Sequence, residues 1–383
     1  MAPVIEIRNL RVFYRTKRGY VRAVDDVSLD IGEGEAFGLV GESGCGKSTL
    51  GRALLGILPS NTLVRGEILY GMPSDDRAEV DRLESRLREE LEDLLDPSQL
   101  TTLDARALEG ILQELGGEAA GQDNLEDLQR LLELKRGYDI TTFSKEAMRR
   151  LRGERMVLIF QDPMSRLDPL MTVRDHFVEL ITAHHDVREE EAETRAVKAL
   201  GSVGIPPTRL KNYPHEFSGG MRQRIMIAMA LVMNPELLIA DEPTTSLDVL
   251  VEAQILELIE DLKRAYNMAL FLITHNLGIV AETCDRVGVM YAGKVVEVAE
   301  VSELFSKPKH PYTEGLLSSV IHLETKELKS IDGIPPDLLN PPSGCRFHPR
   351  CPYVMGICSE EVPLAVDAGG SRVACFLHGE GNG

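Results

Sequence analysis

The chain has 383 residues, 43% of them hydrophobic, and a formal net charge of -19. This composition excludes a disordered chain and allows two or three domains around a real core, while the acid surplus argues against a nucleic-acid surface, which needs clustered Lys and Arg. The best apolar run, residues 225–233, is too short to span a membrane, and residues 1–6 lack the basic-then-apolar pattern of a secretory signal, so the expectation is a cytoplasmic protein whose membrane association comes through partners.

Residues 4–36 alternate apolar and polar side chains and close on Asp30-Ile31-Gly32-Glu33-Gly34, a turn signal. They predict an antiparallel β portion. Tyr14 ends its first strand and is a candidate for stacking on an adenine ring, although an aromatic in a strand is more often packing.

The apolar segment Phe37-Gly38-Leu39-Val40 then runs into Gly41-Glu42-Ser43-Gly44-Cys45-Gly46-Lys47-Ser48-Thr49. This fits G-x-x-x-x-G-K-[ST], with a strand leading in and a helix leading out to about Ile57. Glycines let the backbone wrap phosphate closely, so that successive N–H groups and the positive end of the helix point at the anion. Lys47 is placed for the β- and γ-phosphates and the Ser48 hydroxyl for Mg²⁺.

Residues 66–70 return to strand. The next segment, residues 73–137, holds 18 acidic and 8 basic side chains, a net of -10, so about half the acid excess lies in about a sixth of the chain. Val80, Leu83, Leu87, Leu91 and Leu94 share a helical face, as do Leu108, Ile111, Leu112 and Leu115, then Leu125, Leu128 and Leu132. Three amphipathic helices inserted between two strands are expected, either as a docking or regulatory surface or, as is commoner for charge runs, as a decoration with a solvated face.

Met156-Val157-Leu158-Ile159-Phe160 is a short apolar strand ending in Gln161-Asp162-Pro163. Mostly helical pattern follows over residues 171–178 and 189–203. Phe217-Ser218-Gly219-Gly220-Met221 opens a helix to about Met233. Leu237-Leu238-Ile239-Ala240 is apolar without alternation, as in a buried parallel strand, and ends in Asp241-Glu242; a helix over 249–266, a buried strand over 270–275 and a closing hairpin over 287–298 complete the pattern. Buried strands alternating with helices mean a doubly wound α/β core.

In this order the stretches closely resemble the nucleotide-binding domain of ATP-binding cassette proteins, over roughly residues 4–300 apart from the insert. The resemblance makes residues 41–49 the Walker A loop, Gln161 the Q-loop glutamine and residues 217–221 the signature. Asp241-Glu242 end Walker B, Ser246-Leu247-Asp248 form the D-loop, and His275 is the switch histidine. It implies an α/β P-loop NTPase fold with an antiparallel β portion and a helical signature subdomain over about 161–233. Tyr14, residues 41 and 43–49, Gln161, Asp241 and, from a partner, Ser218, Gly219 and Gly220 would bind MgATP, the metal resting on Ser48, Gln161 and Asp241. Glu242 would activate water, assisted by Gln161 and His275. Met221 stands where the family often has glutamine.

The branch that fits best is the ATP-binding subunit of oligopeptide and dipeptide importers, of the D type, on Ile159-Phe160-Gln161-Asp162-Pro163-Met164, residues 217–224, His310-Pro311-Tyr312-Thr313 and Cys345-Arg346-Phe347-His348-Pro349-Arg350-Cys351-Pro352. Such subunits work at the cytoplasmic face with a paralogous ATPase, two permeases and an extracellular solute-binding protein, on peptides or a related solute such as an oligosaccharide. A soluble ABC ATPase acting on nucleic acid or ribosomes is the alternative, disfavoured by the acid surplus and the single cassette.

Residues 301–383 read as a C-terminal domain with Cys345, Cys351, Cys358 and Cys375 spaced C-x5-C-x6-C-x16-C. Four cysteines this crowded in a cytosolic chain suggest a metal. Wide loops and Pro352 after Cys351 suit a [4Fe-4S] cluster, with zinc, His348 substituting as a ligand, and no metal at all as the alternatives. Cys45 and Cys284 need no role beyond packing, although Cys45 would make the ATPase sensitive to thiol reagents.

Overall fold

The structure is a computed structural model that describes residues 3–91, 103–114, 122–159, 167–244, 249–319 and 331–379. Leu94 and Leu115 of the expected insert helices lie outside these residues.

Strands β1 (Pro3–Thr16), β2 (Gly19–Gly32) and β4 (Thr62–Tyr70) form a three-stranded antiparallel sheet in the order β2-β1-β4. The main sheet has eight strands: β10 (Val366–Ala368), β11 (Ser371–Val373), β9 (Lys294–Glu300), β8 (Arg286–Tyr291), β3 (Ala36–Val40), β7 (Ala269–Ile273), β6 (Leu237–Asp241) and β5 (Met156–Ile159), neighbours in that order. From β8 to β5 the pairing is parallel. Every residue of β3, β6 and β7 is buried, which is why these strands read as unbroken apolar runs.

One core lies under helices α6 (Val173–His184), α7 (Glu189–Ser202) and α8 (Gly219–Leu231), with Phe177, Ile181, Leu200, Ile225 and Ile227 fully buried against the β5–β7 side. The opposite face packs on the antiparallel sheet through Ile5, Val12, Val24, Phe37, Leu50 and Phe271. Helix α5 (Lys145–Glu154), for which no periodicity was used above, is capped by Ser144 accepting from the Ala147 N–H at 3.1 Å and buries Met148 and Leu151.

Between β4 and β5 the helices α2 (Ser74–Glu90), α3 (Ala105–Glu114) and α4 (Gln122–Tyr138) enclose a core of their own built on Val80, Leu83, Leu87, Leu108, Ile111 and Leu128. Beneath it lies a buried charge cluster. Lys135, 1% exposed, sets its ammonium 2.7 Å from Glu67 of β4 and 2.5 Å from Glu84 of α2, and donates to the Leu103 carbonyl. Burial pushes the Glu67 carboxyl up to about 7. Burial also acts against the charge on Glu84, but Lys135, Arg88 and Arg8 outweigh it and hold that carboxyl below its usual range. One lysine therefore serves two carboxylates, and the one with fewer other cations takes up a proton first.

The C-terminal stretch does not stand apart from the cassette. Its hairpin β10–β11 extends the main sheet by antiparallel pairing of β11 with β9. Tyr312 and Phe347 share a core with Val40, Val287, Val289 and Tyr291.

Removing Lys135 strands two buried carboxylates. Lys135→Met is expected to cost about 3–5 kcal/mol in urea unfolding. Because the folded chain holds the Glu67 proton more tightly than the unfolded chain, whose carboxyl has the ordinary value of 4.5, this group makes stability fall as pH rises from about 4.5 to about 7. Glu67→Gln should therefore gain stability relative to wild type across that window in parallel melts.

Candidate functional site

The parallel strands bring three loops to one edge. Leu39, Ile273 and Asp241 are level across β3, β7 and β6, so residues 41–46, Glu242 and His275 all emerge at the carboxyl ends of adjacent strands, where open α/β sheets bind ligands.

Residues 41–46 curl back on helix α1 (Lys47–Leu54). Gly41 (φ +152°) and Gly46 (φ +114°) admit no side chain: a Cβ would stand 2.1 Å from the Met290 carbonyl oxygen at the first and 2.0 Å from that of Ala23 at the second. Lys47 is buried, and its ammonium donates to the carbonyls of Gly41 at 2.7 Å and Glu42 at 3.1 Å, with Cys45 Sγ at 3.9 Å. Burial pushes the Cys45 thiol up, so it is a weak nucleophile as it stands. Ser43 and Gly44 lie on the outer turn of the loop. Tyr14 reaches the same helix, its hydroxyl donating to Thr49 Oγ1 at 3.1 Å.

Ser48 donates to Asp241 Oδ1 at 2.9 Å. Asp241 is buried, and burial raises its pKa, opposed by the Ser48 hydrogen bond, Arg52 and Lys47. Hydroxyl and carboxylate thus meet at the mouth of the P-loop, a pair of hard oxygen donors of the kind Mg²⁺ takes. Glu242 follows at φ +48°, a left-handed conformation that costs a non-glycine residue of order 1–3 kcal/mol and so marks a constrained position. Its N–H donates to the Ile273 carbonyl at 2.8 Å, and its Oε1 is 3.1 Å from Nδ1 of His275, whose ring is largely exposed.

Ser218 caps helix α8, accepting from the Met221 N–H at 3.4 Å, so the Gly219 and Gly220 amides open that helix. Among the described residues no hydrogen bond joins Ser218, Gly219 or Gly220 to residues 41–49. Gln223, one turn on, is buried and donates to the Pro243 carbonyl, linking this helix to the turn after Glu242. Gln161 and Ser246-Leu247-Asp248 lie outside the described residues.

Cys345, Cys351, Cys358 and Cys375 line one narrow cavity together with His310, Phe347 and His348, and none is in a disulfide. The peptide is knitted around them: the Cys345 N–H donates to the Cys358 carbonyl at 2.8 Å and the His348 N–H to that of Cys345 at 3.0 Å. His310 is buried and its pKa is driven down to about 3 by burial, so the ring is neutral. Its Nδ1 accepts from the Tyr312 N–H at 3.0 Å, while Nε2 is buried without a partner. Among the described residues no three or more His, Cys, Asp or Glu side chains are arranged to hold a single metal ion.

Sequence reasoning missed one set of contacts at the P-loop. Glu42 is gripped by the C-terminal stretch: its carboxylate accepts from both Arg350 nitrogens at 2.8 and 3.0 Å, and its N–H donates to the Tyr312 hydroxyl at 3.0 Å. No local signal could have found partners 308 residues apart.

Two family models match the chain: "ABC transporter" over residues 24–131 and 102–245, and "Oligopeptide/dipeptide transporter, C-terminal region" over residues 296–358. The dipeptide transport ATP-binding protein DppD of Bacillus subtilis is 39% identical, the match covering 98% of this chain and 95% of that protein. The oligopeptide transport ATP-binding protein OppD of Salmonella typhimurium is 38% identical over 97% and 93%. Among solved structures, the ATP-binding cassette MJ0796, in a dimeric post-hydrolysis state bound to ADP and Pi, superposes with a TM-score of 0.54 at 20% identity, covering 78% of this chain and 98% of that one. CbiO1 of Clostridium perfringens superposes with a TM-score of 0.52 at 23% identity.

Gly46→Ala drives a Cβ into backbone and should lose about 1–3 kcal/mol of stability. It should also lose the rise in melting temperature that magnesium nucleotide confers on the wild type. Gly201→Ala, where a Cβ meets open space, is expected to keep that rise.

Proposed function

The chain belongs to the ABC transporter ATPases of the oligopeptide and dipeptide transport type, and on that premise we propose that it is the subunit which hydrolyses MgATP to drive peptide uptake through membrane permeases. The observation that carries the chemical part is the pair of contacts at the P-loop mouth, Ser48 with Asp241 and Glu242 with His275.

In this reading the amides of residues 43–49 and the Lys47 ammonium hold the phosphates, and Tyr14 packs against the adenine. Ser48 and Asp241, assisted by Gln161, would hold Mg²⁺, which when bound would supply positive charge against the phosphates. Glu242 orients the attacking water and accepts its proton at the carboxylate, and His275, already 3.1 Å from that carboxylate, fixes its direction and meets the γ-phosphate. Ser218 with the Gly219 and Gly220 amides makes an anion site at a helix N-terminus. We take this site to serve nucleotide held by a second ATPase, a paralogue of this chain.

No helix among the described residues is long and apolar enough to cross a membrane, and we take the permeases to be separate chains. We place their contact in an exposed apolar groove of about 340 Å³ lined by Leu55, Leu158, Leu180, Met226, Met229 and Met233, with Arg149 and Arg152 among its lining. Flexible thioethers suit a surface that must follow a moving partner. The subunit then works peripherally at the cytoplasmic face, with an extracellular binding protein delivering solute.

We also propose a metal centre in the tail. Four free thiols on one cavity are a soft donor set, and the buried Nε2–H of neutral His310 supplies an unused donor beside them. We assign Cys345, Cys351, Cys358 and Cys375 to a [4Fe-4S] cluster, which when bound would cross-link the loops of the tail.

Glu242→Gln should bind MgATP normally yet turn over about 10²–10⁴-fold more slowly. Capture of the subunit from solubilised membranes should recover two permeases and a second ATPase; recovery alone or with ribosomes would overturn the transport assignment. Protein purified without oxygen should hold close to four irons and four acid-labile sulfides per chain, lost in Cys351→Ser, whereas one zinc and no sulfide would replace the cluster by a structural ion.

A further inference from the structure

A side chain that lies next to a cysteine joins the cysteine-rich loop to the P-loop. Arg350 closes the one-turn helix His348–Arg350 and directly precedes Cys351. That turn is held by its own backbone: the Arg350 N–H donates to the Phe347 carbonyl at 2.9 Å and the Cys351 N–H to that of His348 at 3.3 Å. The Arg350 side chain is 6% exposed. It forks onto both Glu42 oxygens and further donates to the Asp332 carbonyl at 2.9 Å, the Ile331 carbonyl at 3.3 Å and the Tyr291 hydroxyl at 3.3 Å. Every donor direction of the fork is used, so the side chain cannot move without breaking several bonds.

Glu42 is held at each of its polar groups. Its side chain meets Arg350, its N–H meets Tyr312, and its carbonyl accepts from Lys47 at 3.1 Å. The route from Cys351 to the phosphate-binding lysine is therefore Cys351, Arg350, Glu42, Lys47, with one covalent step and two hydrogen-bonded ones. A second arm of the same loop braces the frame: Arg346, beside Cys345, is buried and bonded to Asp25 and to the Ala292 carbonyl. The neighbouring Gly293 N–H donates to the Cys45 carbonyl of the P-loop at 2.8 Å.

We propose that the four-cysteine site and the nucleotide site are energetically coupled through Arg350 and Glu42, Arg350 acting as a positioning residue for the P-loop. Disturbing the loop at Cys351 shifts Arg350, frees Glu42 and weakens phosphate binding. By reciprocity, nucleotide that fixes the P-loop stiffens the cysteine loop. The proposal rests on the nucleotide reading above and not on which metal, if any, the thiols carry.

The test uses the full chain and magnesium with a fluorescent ADP analogue. Cys351→Ser and Arg350→Ala are each expected to weaken binding about tenfold, within the usual range of coupling between sites, and the double variant no further than the weaker single one. Losses that multiply in the double variant would overturn the coupling. Arg350→Lys, which keeps the charge but not the fork, should recover only part of the affinity. A second measurement needs no loop variant: amide hydrogen exchange of residues 345–352 in wild type should slow several-fold when the magnesium nucleotide binds, and this slowing should vanish in Arg350→Ala. Binding without slowing in wild type sinks the coupling alone. No nucleotide binding by wild type would instead overturn the nucleotide reading on which it stands.

Discussion

The row formed by Leu39, Ile273 and Asp241 across three parallel strands is the constraint on which the rest of this structure depends. Each strand is buried on both faces, so its side chains must fit two apolar cores at once, and that packing together with the ladder to its neighbours fixes the register. With register fixed, the residues just beyond the row have no freedom about where they emerge. The glycine-rich turn, Asp241, Glu242 and His275 are thereby delivered to one edge from segments separated by some two hundred residues of chain. The left-handed backbone at Glu242 is strain held by that frame, its N–H tied to the Ile273 carbonyl.

Around this frame, buried cations join the peripheral pieces to it. In a chain with net charge -19, the buried basic groups Lys135, Arg346 and Arg350 sit at junctions: helix α4 with β4, the cysteine loop with β2, and the cysteine loop with the P-loop. A buried ion pair adds little net stability over a well-packed apolar contact, because desolvation offsets most of the attraction. Breaking one leaves an uncompensated charge, so such pairs specify a single arrangement of the pieces. The P-loop thus answers to the C-terminal stretch as well as to its own strand and helix.

Much of the fold and the site was legible in the sequence because the signals are local. The alternation of β1, the unbroken apolar runs of β3, β6 and β7, and the spacing of Gly41, Gly46, Lys47 and Ser48 each reflect a requirement met within a few residues. The leucines of the insert read as helical faces, and those faces are where its core lies. Helix α5 was not legible: Lys145–Glu154 is highly charged, and the apolar side chains it buries are Met148 and Leu151, behind the Ser144 cap. The tail was read as a separate cysteine-rich domain, yet β11 pairs with β9 and Phe347 joins the core beside Tyr291.

From the sequence alone came the α/β class, the glycine-rich loop with its lysine, Asp241, Glu242 and His275 as candidates to act with it, and the crowding of four cysteines. Each is set by residue type and by spacing along the chain. Tertiary structure alone decided that Ser48 meets Asp241, that Glu242 meets His275, that one lysine serves Glu67 and Glu84, and that Arg350 holds Glu42. Those pairings depend on which faces of buried strands and loops come together in space. Hydrogen bonds and ion pairs between residues 33 to 308 positions apart leave no periodic trace in a single chain, because only the folded core brings them within reach.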